Sequence, residues 1–584
     1  MSATARPNVI IILTDDQGYG DLACHGNPYL KTPHLDRLCA ESVCLSDFHV
    51  DPMCSPSRAA LLTGRYSART GVWSTLNGRY IMRRDEVTMA EIFAAAGYRT
   101  GMFGKWHLGD QYPYRPQDRG FQKVLTFGGG VVGEIPDYWD NDYFNAVYLR
   151  NGQPEPYEGY CTDVWFNEAL SFIEESRDTP FLCYIATNAP HDPFNVHVRY
   201  SAPYATMGVP EQRARFYGMI TNIDENLGRL RQRLGDLGLA ENTILIFFGD
   251  NGTSGGVTVD ANGFRVNGYN AGMRGKKCWA YEGGHRNACF LNWPGGGIGG
   301  GHKVSELTAH IDLLPTLIDL CQVTPTHGVR FDGRSLVPLL RGEKEGWEPR
   351  VLFIHNQQRD KPKKYKDTEV LTERWRLAVT EQWGPGCREL FDIVRDPGQT
   401  RDLLRYHQGV GKTLLEHYDR WWNDIAQHFG DYSDIVVGSD IEPVTKLTCH
   451  AWHGHKGLYS QLHVRQALVD NGFWTVEASR EGIYELSLRR WPQEVDVPMR
   501  DALPARTGIP FVDDLPAGEP IPIVSARLQV GNIERSQAVG PTDRAATFRI
   551  RLEPGSTRVQ TWFHDERGQT RGAYYVYVER IGPS

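Results

Sequence analysis

NVIIILTDD (residues 8–16), PFLCYIATNAPHD (180–192) and NTILIFFGDNG (242–252) share one pattern: a short apolar run that ends abruptly in polar residues. Runs so uniformly apolar suit strands covered on both faces, as in a parallel or mixed sheet. Helix-like segments lie between and around them, at 84–96, 163–176 and 211–234. That alternation predicts a three-layer α/β/α sandwich. Sheets of this kind bind ligands beyond the carboxyl ends of their strands. Asp15, Asp16, His191, Asp250 and Asn251 would then gather at one edge of the sheet.

The chain has 584 residues, more than one core normally accommodates, so a large domain with smaller companions is expected. Its formal charge of -8 argues against a nucleic-acid or anionic-membrane partner. No stretch approaches the roughly 20 apolar residues of a membrane span. The apolar run near the N-terminus is too short for a signal peptide, which makes the cytoplasm the expected compartment. Eleven cysteines without a CxxC pair resemble neither a disulfide scaffold nor a structural zinc site.

The α/β texture continues through HIDLLPTLIDLC (310–321). Near 370 it gives way to short strand-like runs followed by a helix-like stretch at 414–429. Residues 1–369 are therefore read as the catalytic α/β domain and 370–439 as a small α+β subdomain. From 440 to 584 the chain is rich in short β runs, among them GFWTVEAS, GIYELSLRRW, IVSARLQV and AYYVYVERI, which predict an accessory antiparallel module. This module is expected to narrow a pocket, mediate oligomerisation or bind sugar, and its sequence does not choose among the three.

MCSPSRAALLTGR (53–65) reads as a helix start, with Ser55 as N-cap, Pro56 in the first helical position and Gly64 closing the end. Cys54 then sits at the positive end of the helix dipole, and Arg58 lies four residues on, able to reach the same end. Three readings stay open on that geometry: a thiolate nucleophile, an inert buried thiol, or the substrate of a modification.

CSPSRAALLTG resembles the signature of the type I sulfatases, and GYRTGMFGKWHLG (97–109) resembles their second signature. The likeness extends through the Asp15–Asp16 pair, Pro190–His191, DNG at 250–252 and MRGKKCWAYEGGHR (273–286), in family order across residues 7 to 430. It implies an alkaline-phosphatase-like fold, oxidation of Cys54 to Cα-formylglycine by a transient formylglycine-generating enzyme, and one divalent cation. Asp15, Asp16, Asp250 and Asn251 offer oxygen alone, which prefers Ca2+, or Mg2+, over zinc. The resemblance adds the modified residue 54 as a further ligand.

Arg58, Lys105, His107, His191 and Lys277 are the cationic candidates around a transferred anion. By resemblance, one hydroxyl of hydrated formylglycine attacks sulfur, His191 or Lys277 protonates the leaving group, and His107 assists release of sulfate from the covalent sulfo-enzyme. Lys277 is chosen over Lys276 by counting back from Glu282. The expected substrate is a sulfated small molecule or sugar, either ester or sulfamate, and a homo-oligomer is left open. The rivals are a formylglycine-dependent phosphonate monoester or phosphodiester hydrolase, and an inactive anion- or glycan-binding homologue. The segments 128–145, 191–200 and 257–270 are the expected pocket rim.

Overall fold

In a computed structural model the three apolar runs become adjacent parallel strands. The structure describes residues 6–582 apart from 326, 327, 382, 383, 385, 455 and 456. Asn8–Thr14 pairs in parallel with Phe181–Ala186 on one side and with Thr243–Gly249 on the other. Arg99–Gly104 extends the parallel set beyond Phe181–Ala186. Arg286–Asn292 runs antiparallel between Thr243–Gly249 and Val43–His49, so the eleven-stranded sheet is mixed.

Alternation along one strand shows how the layers form. Val9, Ile11 and Leu13 point to a cluster that includes Ala59, Leu61 and Leu62 of the helix Cys54–Thr63. Ile10 and Ile12 point the other way, toward the helices Cys161–Glu175 and Glu211–Asp236. Because successive side chains in a strand face opposite sides, an unbroken apolar run is what a strand covered twice requires. The helix expected at 84–96 is shorter, Met89–Ala95, and a capping box between Thr88 and Glu91 sets its start.

The small subdomain is a four-stranded antiparallel sheet packed on the helix Gln408–Ile425. Its first strands are Leu352–His355 and Thr368–Leu371, so the sheet draws in residues on the N-terminal side of 370. Beyond it, a six-stranded and a four-stranded sheet pack over a common core. The strand-like runs of the tail all lie in these sheets. They are joined by Val444–Thr448 and Ile533–Ala538, and by Ile435–Val437 from before residue 440. Among the described residues, no helix is long and apolar enough to cross a membrane.

This C-terminal core is not closed on itself. Tyr80, Ile81, Tyr114, Ile135 and Trp139 of the large domain belong to the same cluster as Trp452, Trp474 and Trp491. Trp139 meets Trp491 edge to face, with ring centroids 5.2 Å apart. A Trp139→Ala variant is expected to lose about 3–5 kcal/mol of stability. Chemical denaturation checks this, and an unchanged midpoint would mean that the two parts are held together elsewhere.

Candidate active site

The parallel pairing places the chemical residues at one edge. Thr14 is followed by Asp15 and Asp16, Gly104 by Lys105 and His107, and Gly249 by Asp250 and Asn251, each just past the carboxyl end of its strand. His191 follows Phe181–Ala186 after a short loop, and Cys54 follows Val43–His49. The register sets this coincidence, since Leu13 lies opposite both Ala186 and Phe248.

Cys54 itself is the first residue of its helix, and Met53 takes the N-cap position without a side-chain bond. Ser55 is therefore not the cap, and Pro56 falls inside the first turn. Ser57 Oγ instead donates to the Asp51 carbonyl at 3.0 Å, tying the helix to the preceding loop. Gly64 closes the helix at φ 66°, its N–H donating to the Ala60 carbonyl.

Each buried acid is gripped by a cation. Lys105 Nζ lies 2.7 Å from Asp15, Lys277 Nζ 2.6 Å from Asp16, and Arg58 Nη2 2.8 Å from Asp250. Asn251 donates to Asp16 at 2.9 Å, and the Asp16 N–H donates to Asp250 at 3.1 Å. Burial alone would raise the Asp16 carboxyl, but His191 and Lys277 outweigh it and hold the group well below its ordinary range. Lys277 is raised well above its ordinary value by Asp16 in spite of burial, so it is charged. Its neighbour Lys276 does not line the cavity.

Arg58 is fully buried and does not line the cavity. Its Nη1 donates to the Lys105 carbonyl at 2.9 Å, and its Nε and Nη2 both reach Asp250. The fork expected over an incoming anion is thus spent on fastening two strand ends together.

Asp15 Oδ1, Asp16 Oδ2 and Asn251 Oδ1 are buried without a hydrogen-bond partner, although Asp16 Oδ2 has His191 Nε2 at 3.5 Å. Buried acceptors are rarely left so, and a positive centre held by these oxygens would satisfy them. Ligand atoms of Asp15, Asp16 and His191 lie within 4.8 Å of one another. An oxygen-rich donor set of this kind fits a hard divalent cation.

Cys54 Sγ is 3.4 Å from His107 Nδ1. Burial pushes the thiol up to about 11, with Lys105 and Lys277 only partly opposing it, so the group is protonated near neutral pH. Burial, with Lys105 and His450 adding to it, holds His107 well below the ordinary imidazole range, and the ring is neutral. His107 (φ 59°) and Asp16 (φ 68°) both adopt the left-handed backbone region, a local cost of about 1–3 kcal/mol each that the surrounding contacts must offset. A Cβ on Gly130 would come 2.1 Å from the His107 ring, so only glycine fits there.

Cys54, Lys105, His107, His191 and Lys277 line one cavity of about 550 Å³. Residues 131–134 and 140–142 form one wall, as expected of the 128–145 segment, and 192, 193 and 195 another. The 257–270 segment is not part of the lining. In its place stand residues of the C-terminal module, Tyr459 to His463, Arg506, Val512, Asp513 and Leu515. Gln461 clasps the opposite wall, donating to the Glu134 and Tyr138 carbonyls and accepting from the Asp140 N–H. His450, from the same module, packs with Tyr80 near the His107 ring. Spacing relative to the cysteine motif offers no signal for these residues, because long-range packing alone brings them in.

The chain matches the Sulfatase family model over residues 7–323 and the N-sulphoglucosamine sulphohydrolase C-terminal model over residues 274–419. Arylsulfatase A of Homo sapiens is 31% identical over 500 residues, 77% of this chain and 94% of that protein. N-acetylgalactosamine-6-sulfatase of Homo sapiens is 32% identical over 364 residues, 58% of this chain and 66% of that protein. The crystal structure of Ps i-CgsB in complex with k-i-k-neocarrahexaose shares the fold, with a TM-score of 0.64 at 24% identity over 71% of this chain and 92% of that one. With the family's ordered motifs gathered at one sheet edge around a common cavity, the chain belongs to the sulfatase family and is a sulfuric ester hydrolase.

Proposed function

We propose that this sulfatase removes sulfate from a monosaccharide-sized sulfated sugar, with Cys54 oxidised to formylglycine and one calcium-class cation at the site. The observation that carries this reading is the state of Cys54. A thiol pushed up to about 11 is a poor nucleophile, yet it stands at a helix N-terminus on the cavity floor, among Lys105, His107 and Lys277. That position has value once the sulfur is replaced by oxygen. A transient maturation enzyme of the formylglycine-generating class is the partner that would make the change before or during folding, since the residue is buried afterwards.

Asp15, Asp16, Asp250 and Asn251 would hold the cation together with residue 54. When bound, the cation acts as a Lewis acid on sulfuryl oxygen and the oxidised residue provides a hydrated aldehyde as nucleophile. Lys105 and Lys277 place fixed positive charge beside the transferred group. They act at the buried end of the cavity, where such charge is more effective than in bulk water. Neutral His107, with Nδ1 facing residue 54, is placed to take a proton there. His191 and Lys277 lie on the cavity side of Asp16, where they can return a proton to the departing oxygen.

The wall that would face the organic group sets polar side chains among apolar ones: Asp140, Asp142 and Asp192 beside Val131 and Val132 on the large domain, and His463 and Arg506 beside Leu462 and Leu515 on the module. Carboxylates and a guanidinium placed in this way match sugar hydroxyls, and Tyr459 offers a ring to pack against one face. The name of the N-acetylgalactosamine-6-sulfatase relative agrees with a sugar substrate.

Protein co-expressed with a formylglycine-generating enzyme is expected to carry an aldehyde on the residue-54 peptide by mass spectrometry and to release sulfate. Faster cleavage of matched phosphonate or phosphate diesters would favour the phosphonate-hydrolase reading instead. Cys54→Ala should abolish turnover with little change in thermal midpoint; a variant that still releases sulfate at near wild-type rate overturns the covalent proposal. Asp15→Ala should lose the bound cation, read by elemental analysis, and slow turnover about 100-fold or more. Full metal content in that variant would remove Asp15 from the ligand set. Gln461→Ala should raise KM for a sulfated sugar while changing kcat for a small aryl sulfate much less, because it loosens only the far wall; equal losses on both substrates would refute that division of labour.

A further inference from the structure

Folding gathers three of the cysteines, which the sequence leaves scattered, at a second place away from the active-site cavity. Cys24 and His25 share one short turn, Ala23–His25. Cys39 lies in the helix Pro33–Glu41, and Cys44 on the strand Val43–His49. Ligand atoms of Cys24, His25 and Cys39 lie within 4.8 Å of one another, and Cys39 Sγ is 3.4 Å from Cys44 Sγ. Tetrahedral zinc, with Zn–S bonds of about 2.3 Å, sets its sulfurs about 3.8 Å apart. Cys39 and Cys44 therefore stand near the spacing a common ion requires, with Cys24 and His25 within 4.8 Å of Cys39.

The histidine's tautomer is set by its own hydrogen bond. Its Nδ1 is 2.8 Å from the Tyr19 carbonyl oxygen. A carbonyl can only accept, so Nδ1 carries the proton and Nε2 keeps the lone pair. That is the outer hydrogen bond by which a ligating imidazole is usually fixed. The ring also stacks on Tyr19, with centroids 3.9 Å apart. Lys303 lies opposite Cys44 in the strand register, so a cationic residue flanks the thiols. Cys24 is exposed and Cys39 half-buried, so an ion can enter from solvent.

We propose that Cys24, His25, Cys39 and Cys44 form a second metal site, for a thiophilic cation of the zinc class, chemically distinct from the oxygen set at Asp15 and Asp16. Three ligand atoms already meet, and Cys44, whose Sγ is 3.4 Å from that of Cys39, is the candidate fourth; a set closed by protein ligands is structural. Binding replaces the three thiol protons with the metal. It ties the loop after Asp16 to the helix and to the strand that leads toward Cys54, bracing two of the segments that shape the active site. Spacing along the sequence gives no sign of this convergence.

The test uses the full chain, reduced, stripped by chelator and then saturated with calcium to fill the oxygen site. Titration with Co2+ is expected to give one equivalent with thiolate-to-cobalt charge-transfer and tetrahedral d–d absorption, erased by equimolar Zn2+. Zinc should protect Cys24, Cys39 and Cys44 from alkylation in peptide mapping and raise the thermal midpoint. Cys39→Ser should lose the charge-transfer bands and at least about 10-fold in zinc affinity, with calcium binding unchanged. Cys24→Ser, at an exposed position, provides the same readout without disturbing the core. Absence of the bands in reduced wild-type protein, or their persistence in both variants, overturns the site. So does a disulfide among these cysteines in protein isolated without reductant, if reduction then yields no cobalt bands.

Discussion

Three carboxylates taken out of water at one sheet edge are the constraint around which the rest of the molecule is arranged. Asp15, Asp16 and Asp250 are fully buried, and each is tolerable there only because Lys105, Lys277 or Arg58 reaches it. The three pairs cancel in charge, so the floor of the cavity is neutral as it stands, with carboxylate oxygens still unsatisfied. A divalent cation held there would leave the floor net positive, which would suit an anionic sulfuryl group. The pairs also tie strand ends to other segments: Asp15 to the end of Arg99–Gly104, Asp250 to the cysteine helix, and Asp16 to the loop before Glu282–His285. Breaking any one would leave a buried charge alone and release the loop that carries it.

The same constraint explains why Arg58 and Lys105 differ in their work although both belong to family motifs. Arg58 is fully enclosed and spends its donors on Asp250 and on the Lys105 carbonyl. Lys105 and Lys277 grip an acid and still border the cavity. Framework and chemistry are therefore separated by position: Arg58 fixes geometry, while Lys105 and Lys277 lie on the cavity lining.

The accessory module completes the site. It shares a core with Tyr80, Ile135 and Trp139, and its 459–463 segment is hydrogen-bonded to the loop that forms one pocket wall. His450 reaches the surroundings of His107 from the same side. The module thus closes the cavity opposite the reacting group, where the organic part of a substrate must lie. Of the three roles open to it in the sequence, narrowing the pocket is the one that the contacts support.

The apolar runs at 8–13, 181–186 and 243–248, each ending in acids, amides or histidine, determined the parallel sheet and the edge where chemistry would gather. Period-2 burial on both faces leaves a continuous apolar signature, and this is legible without a structure. The ordered motifs around Cys54, Lys105, His191, Asp250 and Lys277 determined the family for the same reason, since their meaning lies in local residue order. Only the tertiary structure decided that Met53 rather than Ser55 caps the cysteine helix, that Arg58 points away from the cavity, and that Gln461 and His450 belong to the site. It alone brought Cys24, His25, Cys39 and Cys44 together. Each of these depends on contacts between segments far apart along the chain, and neither periodicity nor spacing encodes a contact that packing creates.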